Sequence, residues 1–281
     1  MTSRWRMALV HAGLVGVCVL TLYPVLWVVG LALSPGQGFS AAGLWPLPAH
    51  PTLQNFRELF AATDPAGHLL FLRQLWNSVW VSALTTLVGM GLSLTAAYAM
   101  SRFEFVGRRG GLTALLATQM FPATMMTVPL YALMNHLHLL DSLGGLVLVY
   151  ATTAVPFCVW MLKGYFDTIP RDLEEAALLD GATHAQIFWR VVLPLARPAL
   201  AVTALFSFMT AWNEFILAAT FLDDRTRFTL PVALQRFVGE YQTEWGHFAA
   251  GAIVVSVPVM ALFFALQKHL VGGLTAGGVK G

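Results

Sequence analysis

Apolar residues in this chain neither alternate as in a half-buried strand nor recur as the single stripe of a surface helix; they gather in long runs that leave almost no polar face. A bilayer core of about 30 Å takes about 20 helical residues at about 1.5 Å each. Six runs suit that length: 7–33, 75–100, 112–133, 143–162, 199–221 and 248–267. The pattern predicts an all-α membrane protein of six transmembrane helices, forming one transmembrane domain over 1–281. The third run contains Pro122 and Pro129, which remove backbone donors and predict a kink. Neighbouring helices and hydroxyl side chains can satisfy the carbonyls so freed. The first run follows Arg4 and Arg6 in the manner of a secretory signal, but it is too long for a signal's apolar region and is read as a span.

Composition agrees with a lipid solvent: 57% of residues are hydrophobic and 11% charged. Six spans leave no room for a separate catalytic domain. The net charge of +2 is explained by topology without invoking nucleic acid. With both termini cytoplasmic, eleven of the sixteen lysines and arginines fall on the inner side, Arg102, Arg108, Arg109, Arg190 and Arg197 among them, as the positive-inside rule requires. Cys18 and Cys158 lie inside apolar runs and read as small hydrophobes. Two outer segments stand out by length: Ser34–Gln74, rich in proline and glycine, and Leu222–His247, where charges mix with Phe228, Phe237, Tyr241 and Trp245.

The cytoplasmic segment 163–198 is patterned differently. After Pro170 come Asp172, Glu174 and Glu175, then Ala176, Ala177, two leucines, Asp180 and Gly181. Proline at the start, acids in the first turn and glycine just past the end describe a short capped helix. Thr183 and Gln186 then have capping-box spacing, so a second helix begins there and runs toward Pro194 and Pro198, which turn the chain into the fifth run. The prediction is a helix, a left-handed glycine turn and a helix at the inner membrane face.

Glu175-Ala176-Ala177, Gly181 and Val191-Val192-Leu193-Pro194 together resemble the cytoplasmic coupling motif of ABC-importer permeases, with Val191 where isoleucine is common. Tyr23-Pro24, Trp212-Asn213-Glu214-Phe215 and the glycine-rich tail from Gly272 to Gly281 extend the resemblance to the maltose-type carbohydrate branch. The resemblance implies that Glu174, Glu175, Ala176, Ala177, Asp180, Gly181 and Pro194 form the ATPase-coupling element. Small alanines would let the helix seat closely while Glu175 meets a basic residue of the partner. It also implies a second homologous permease, two ATP-binding subunits that carry ATP and Mg, and an extracytoplasmic solute-binding protein touched by the Leu222–His247 loop. The tail would approach the ATPase pair.

On this reading the chain forms half of a sugar or oligosaccharide pathway and is not an enzyme. It has no Gly-x-x-x-x-Gly-Lys-Ser/Thr loop, so ATP chemistry belongs to partners, and no cofactor is expected in the chain itself. A permease for a non-sugar solute and a secondary transporter are the alternatives. The latter is expected to carry more intramembrane carboxylates than Glu214. Gln119, Thr124, Thr127, Asn213 and Glu214 are the candidate pathway residues. For Glu214 a role in the pathway or in locking helices stands beside that of a hydrated outer carboxylate, and for the third-run hydroxyls helix packing stands beside sugar binding. His136 and His138 have no further ligand at metal-binding spacing.

Overall fold

The computed structural model describes residues 4–38, 45–239 and 242–277, without the side chains of 123 and 268–277. The elements among them are helical: α1 Arg4–Leu33, α2 Gln54–Ala61, α3 Leu70–Arg102, α4 Arg108–Thr118, α5 Ala123–His136, α6 Leu143–Phe166, α7 Asp172–Leu179, α8 His184–Ile187, a π-helical turn Phe188–Val192, α9 Leu193–Leu195, α10 Arg197–Trp212, α11 Ile216–Phe221, α12 Leu230–Gln235 and α13 Trp245–Gly277. Among the described residues, two isolated bridges, Thr63 with Leu69 and Val238 with Thr243, pinch the segments between α2 and α3 and between α12 and α13.

Among the described residues, four helices are long and apolar enough to cross a membrane unbroken: α1, α3, α6 and the Trp245–Gln267 stretch of α13. The third run, expected as one kinked helix, and the fifth, expected as one helix, are each divided in two. The third divides into α4 and α5 around 119–122, because Pro122 has no amide to donate and drives the residue before it out of helical geometry. At 11 and 14 residues, or about 16 and 21 Å, neither piece spans a bilayer core alone. The fifth stops at Trp212 and restarts at Ile216.

The chain divides into two compact units, 1–74 with 232–257, and 75–231 with 258–281. In the first, Asn55 on α2 is buried and its amide donates to the carbonyls of Ala32 (3.0 Å) and Ser34 (2.9 Å), so it satisfies the orphan acceptors at the end of α1. Its oxygen accepts from Gln37, which also accepts from the His247 amide at 3.0 Å. Gly246 is needed beside the Asn55 carboxamide, since a Cβ there would lie 2.6 Å from its nitrogen and oxygen. Asn55→Ala strands these buried groups and is expected to cost about 2 kcal/mol, read as a lower unfolding midpoint in detergent, while Ala at exposed Gln54 changes little.

In the second unit α6 is the central helix. Ser142 caps its N-terminus, and Leu146, Val149, Tyr150, Val159, Leu162 and Phe166 are buried along it. Small residues allow close approach: Ala154 of α6 lies near Gly89 of α3, and Ser93 donates to the Val155 carbonyl at 3.3 Å. Cys158 is buried here as a hydrophobe, whereas Cys18 is exposed on α1.

Candidate coupling element and pathway

The predicted glycine turn is present. Gly181 has φ +85°, its amide donates to the Leu178 carbonyl and the Ala182 amide to that of Ala177, both at 3.0 Å, which is the paired pattern of a Schellman cap on α7. Thr183 and Gln186 form the reciprocal capping box, with the Thr183 amide donating to Gln186 Oε1 at 2.8 Å.

The π-helical turn that follows was not anticipated. Pro194 cannot donate to the Arg190 carbonyl and its ring would crowd it. The Leu193 amide instead reaches back to Phe188, and the ladder widens by one residue. At Ala196 the axis bends by 79° into α10, as the two prolines predict.

One side of this element faces inward. Ile187, Phe188, Val192 and Ala196 are buried with Ala97, Val159, Leu162 and Phe166, and Ala177 packs against the same cluster. The other side is open: Glu175, Ala176 and Asp180 are exposed, as are Leu173, Leu178 and Trp189, with Leu179 90% exposed. Leucines presented this way cost hydration free energy unless something covers them.

Glu174 departs from its implied role as a partner contact. Its side chain is 11% exposed, and its carboxylate accepts from Arg102 Nε at 2.5 Å and from the Tyr98 hydroxyl at 3.2 Å. Both donors lie on α3, so Glu174 is engaged within the chain. Burial alone would raise the nearby Asp167 carboxyl, but hydrogen bonds from Lys163 and Ser101 and the charges of Lys163 and Arg102 outweigh it and hold the group below its ordinary value.

Three of the five candidate pathway residues lie at the two helix breaks. Exposed Gln119, in the break between α4 and α5, donates to the Thr153 carbonyl of α6 at 3.1 Å. Glu214, in the break between α10 and α11, accepts from the amides of Leu217 (2.9 Å) and Ala218 (3.1 Å) and from the hydroxyl of Tyr150 on α6 (2.7 Å). Tyr150 and Thr153 are one turn apart, so both breaks flank the same part of α6. Glu214 thus closes the start of α11 and ties it to α6, the helix-locking option. Asn213 is exposed and its side chain donates to the Met209 carbonyl of its own helix. Thr124 is exposed and Thr127 half-buried on α5.

The Leu222–His247 loop is partly an internal structure. Phe228 and Leu230 are buried, Asn77 of α3 donates to the Thr226 and Phe228 carbonyls, and Ser78 accepts from the Leu230 amide. Asp141, beside the two histidines, accepts from the amides of Asp223 and Asp224 and from Arg227. Phe228 is therefore a packing residue, with exposed Asp223, Asp224, Arg225 and Arg227 before it and a second exposed stretch from Gln235 onward. Tyr241 and the tail beyond Gly277 fall outside the described residues.

Residues 89–275 match the family model described as binding-protein-dependent transport system inner membrane component. The chain is 38% identical over 265 residues to the galactooligosaccharides transport system permease protein of Bacillus subtilis, covering 94% of this chain and 92% of that one. It is 38% identical over 262 residues to the trehalose transport system permease protein of Mycobacterium tuberculosis, with coverage of 92% and 93%. A maltose/maltodextrin transport system permease protein of Vibrio vulnificus is 38% identical over 291 residues, with coverage of 99% and 97%. Among solved structures, a chain of a bacterial ABC transporter for import of the acidic polysaccharide alginate superposes with TM-score 0.78 at 24% identity, over 95% of this chain and 98% of that one. The methionine ABC transporter MetNI shares the fold more distantly, with TM-score 0.60 at 17% identity over 75% and 99%. The chain therefore belongs to the family of inner membrane components of binding-protein-dependent transport systems and is a multi-pass membrane protein.

Proposed function

We propose that this chain is one of two permease subunits of an ABC importer and forms half of a pathway for a sugar or oligosaccharide. Similarity over nearly its whole length to permeases named for galactooligosaccharides, trehalose and maltodextrins carries the reading. Six crossings with both termini cytoplasmic remain the favoured topology, the third and fifth being broken crossings. Non-helical backbone at membrane depth is tolerated where it is buried in protein or lines a wet cavity, and the polar residues at these two breaks suit a sugar path.

The exposed face of α7 and the π-helical turn is the proposed seat of an ATP-binding subunit. Glu175 and Asp180 supply charge there, Leu173, Leu178, Leu179 and Trp189 supply apolar area, and ATP and Mg remain on that partner. Uptake of labelled oligosaccharides by cells lacking the gene, together with native mass spectrometry of the gently solubilised complex, tests this. Two ATP-binding subunits and a second permease are expected, and a lone chain that still transports would overturn the reading.

The exposed loop beyond Gln235 is the proposed contact for the solute-binding protein. Replacing 239–242 by a two-residue turn leaves Phe228 and Leu230 in place, so insertion should be normal. Stimulation of ATP hydrolysis by the binding protein should fall about five-fold, the loss of about 1 kcal/mol of interface. Unchanged stimulation would remove the loop from the contact.

A further inference from the structure

The coupling element is joined covalently to α6 before it and to α10 after it, and it packs on α6, but its charged and aromatic side chains also hold to a third helix. Arg102, at the last position of α3, has its side chain 8% exposed and grips Glu174 of α7 at 2.5 Å. Its Nη2 donates to the Ile169 carbonyl at 3.2 Å, and Arg171 donates to the Ser101 carbonyl at 3.3 Å. One helical turn earlier, Tyr98 donates to Glu174 and lays its ring against Phe188 of the π-helical turn, with centroids 4.9 Å apart. Phe103, just past α3, meets the His184 ring of α8 at 5.6 Å. The end of α3 thus touches the coupling element before and after the Gly181 turn, whereas the covalent route to α10 runs through the 79° bend at Ala196.

We propose that α3 is the span that follows the coupling element, and that Arg102 and Glu174 are positioning residues whose pairing converts displacement of α7 into displacement of α3. The proposal rests on α7 being the ATPase seat. A buried pair suits such a link, because removing one partner leaves a stranded charge while replacing both at once costs much less. The connection is therefore stiff, and Glu175, one position on, is aimed outward because Glu174 is fixed inward.

The test compares Arg102→Gln, Glu174→Gln and the double variant in the assembled, reconstituted transporter. ATPase-subunit retention and solute taken up per ATP hydrolysed are measured, and amide hydrogen exchange over 98–102 and 172–182 is measured on the permease alone. Each single variant is expected to retain its ATPase subunits, to lower uptake per ATP about five-fold and to speed exchange in both segments together, with α6 unchanged. The double variant should lose no more than the worse single, since the two residues act as one unit. Singles that match the parent in uptake per ATP, or losses that multiply in the double, would overturn the link. If the parent complex itself shows no solute-stimulated hydrolysis, the transport reading fails instead, and coupled exchange in the isolated chain still decides whether the α3 link exists.

Discussion

Valine at Gly181 is expected to leave the protein inserted and to reduce solute uptake at least ten-fold. The position isolates a backbone effect. A Cβ at Gly181 would meet no atom within 4 Å, so no steric clash with neighbours contributes, but φ is +85° and a β-branched residue is strongly disfavoured there. The penalty is about 2 kcal/mol. The chain can relieve it by unwinding the cap, which releases the carbonyls of Ala177 and Leu178 and swings Glu175, Ala176 and Leu179 away from their present aim. Asn, which tolerates the left-handed region, should keep most of the uptake. Uptake, ATPase retention and stimulated hydrolysis, measured on one purified preparation of each variant, check this. Full uptake by Gly181→Val would mean that the segment is not the coupling element.

That turn was legible in the sequence because every part of it is local. Acids, alanines, glycine and a Thr-x-x-Gln box lie within fifteen residues of one another and act through adjacent backbone groups. The four long apolar helices were legible for the same reason, since a helix in lipid satisfies its own backbone. What hydropathy could not register is a break inside an apolar run. Gln119–Pro122 and Asn213–Phe215 are too short to lower the average of a twenty-residue window, and Asn213 and Glu214 were visible only as polar exceptions.

Glu174 shows the second limit. Sequence spacing put it beside Glu175 on a helix start, and only the fold brings Arg102, 72 residues earlier, to it. Adjacent helical positions face about 100° apart, so two neighbouring glutamates were bound to differ in environment, but nothing local says which one turns inward. In the same way the aromatic content of the outer loop suggested a docking surface, and Phe228 is spent on packing near α3.

Glu214→Gln is the second large effect expected: normal assembly with the proposed second permease and ATPase subunits, and uptake lowered about ten-fold. The carboxylate meets three donors, the amides of Leu217 and Ala218 and the Tyr150 hydroxyl. A glutamine has one acceptor oxygen, so its NH2 must face at least one of those donors, and the negative charge at the start of α11 is lost with it. Hydrogen bonds to a charged group contribute about 2 kcal/mol each, enough to loosen α11 from α6 without unfolding the bundle. Tyr150→Phe removes only the hydroxyl and leaves both amides satisfied, so about a three-fold loss is expected. Asn213 separates locking from direct contact with solute. It is exposed in the same break and, among the described residues, its side chain bonds the Met209 carbonyl of α10, so Asn213→Ala should leave α11 in place. If the break also lines the sugar path, that variant raises the half-saturating solute concentration at unchanged maximal uptake, whereas pure locking leaves both alone. Full uptake by Glu214→Gln at normal expression would reduce Glu214 to a hydrated outer carboxylate and remove the break between α10 and α11 from the mechanism.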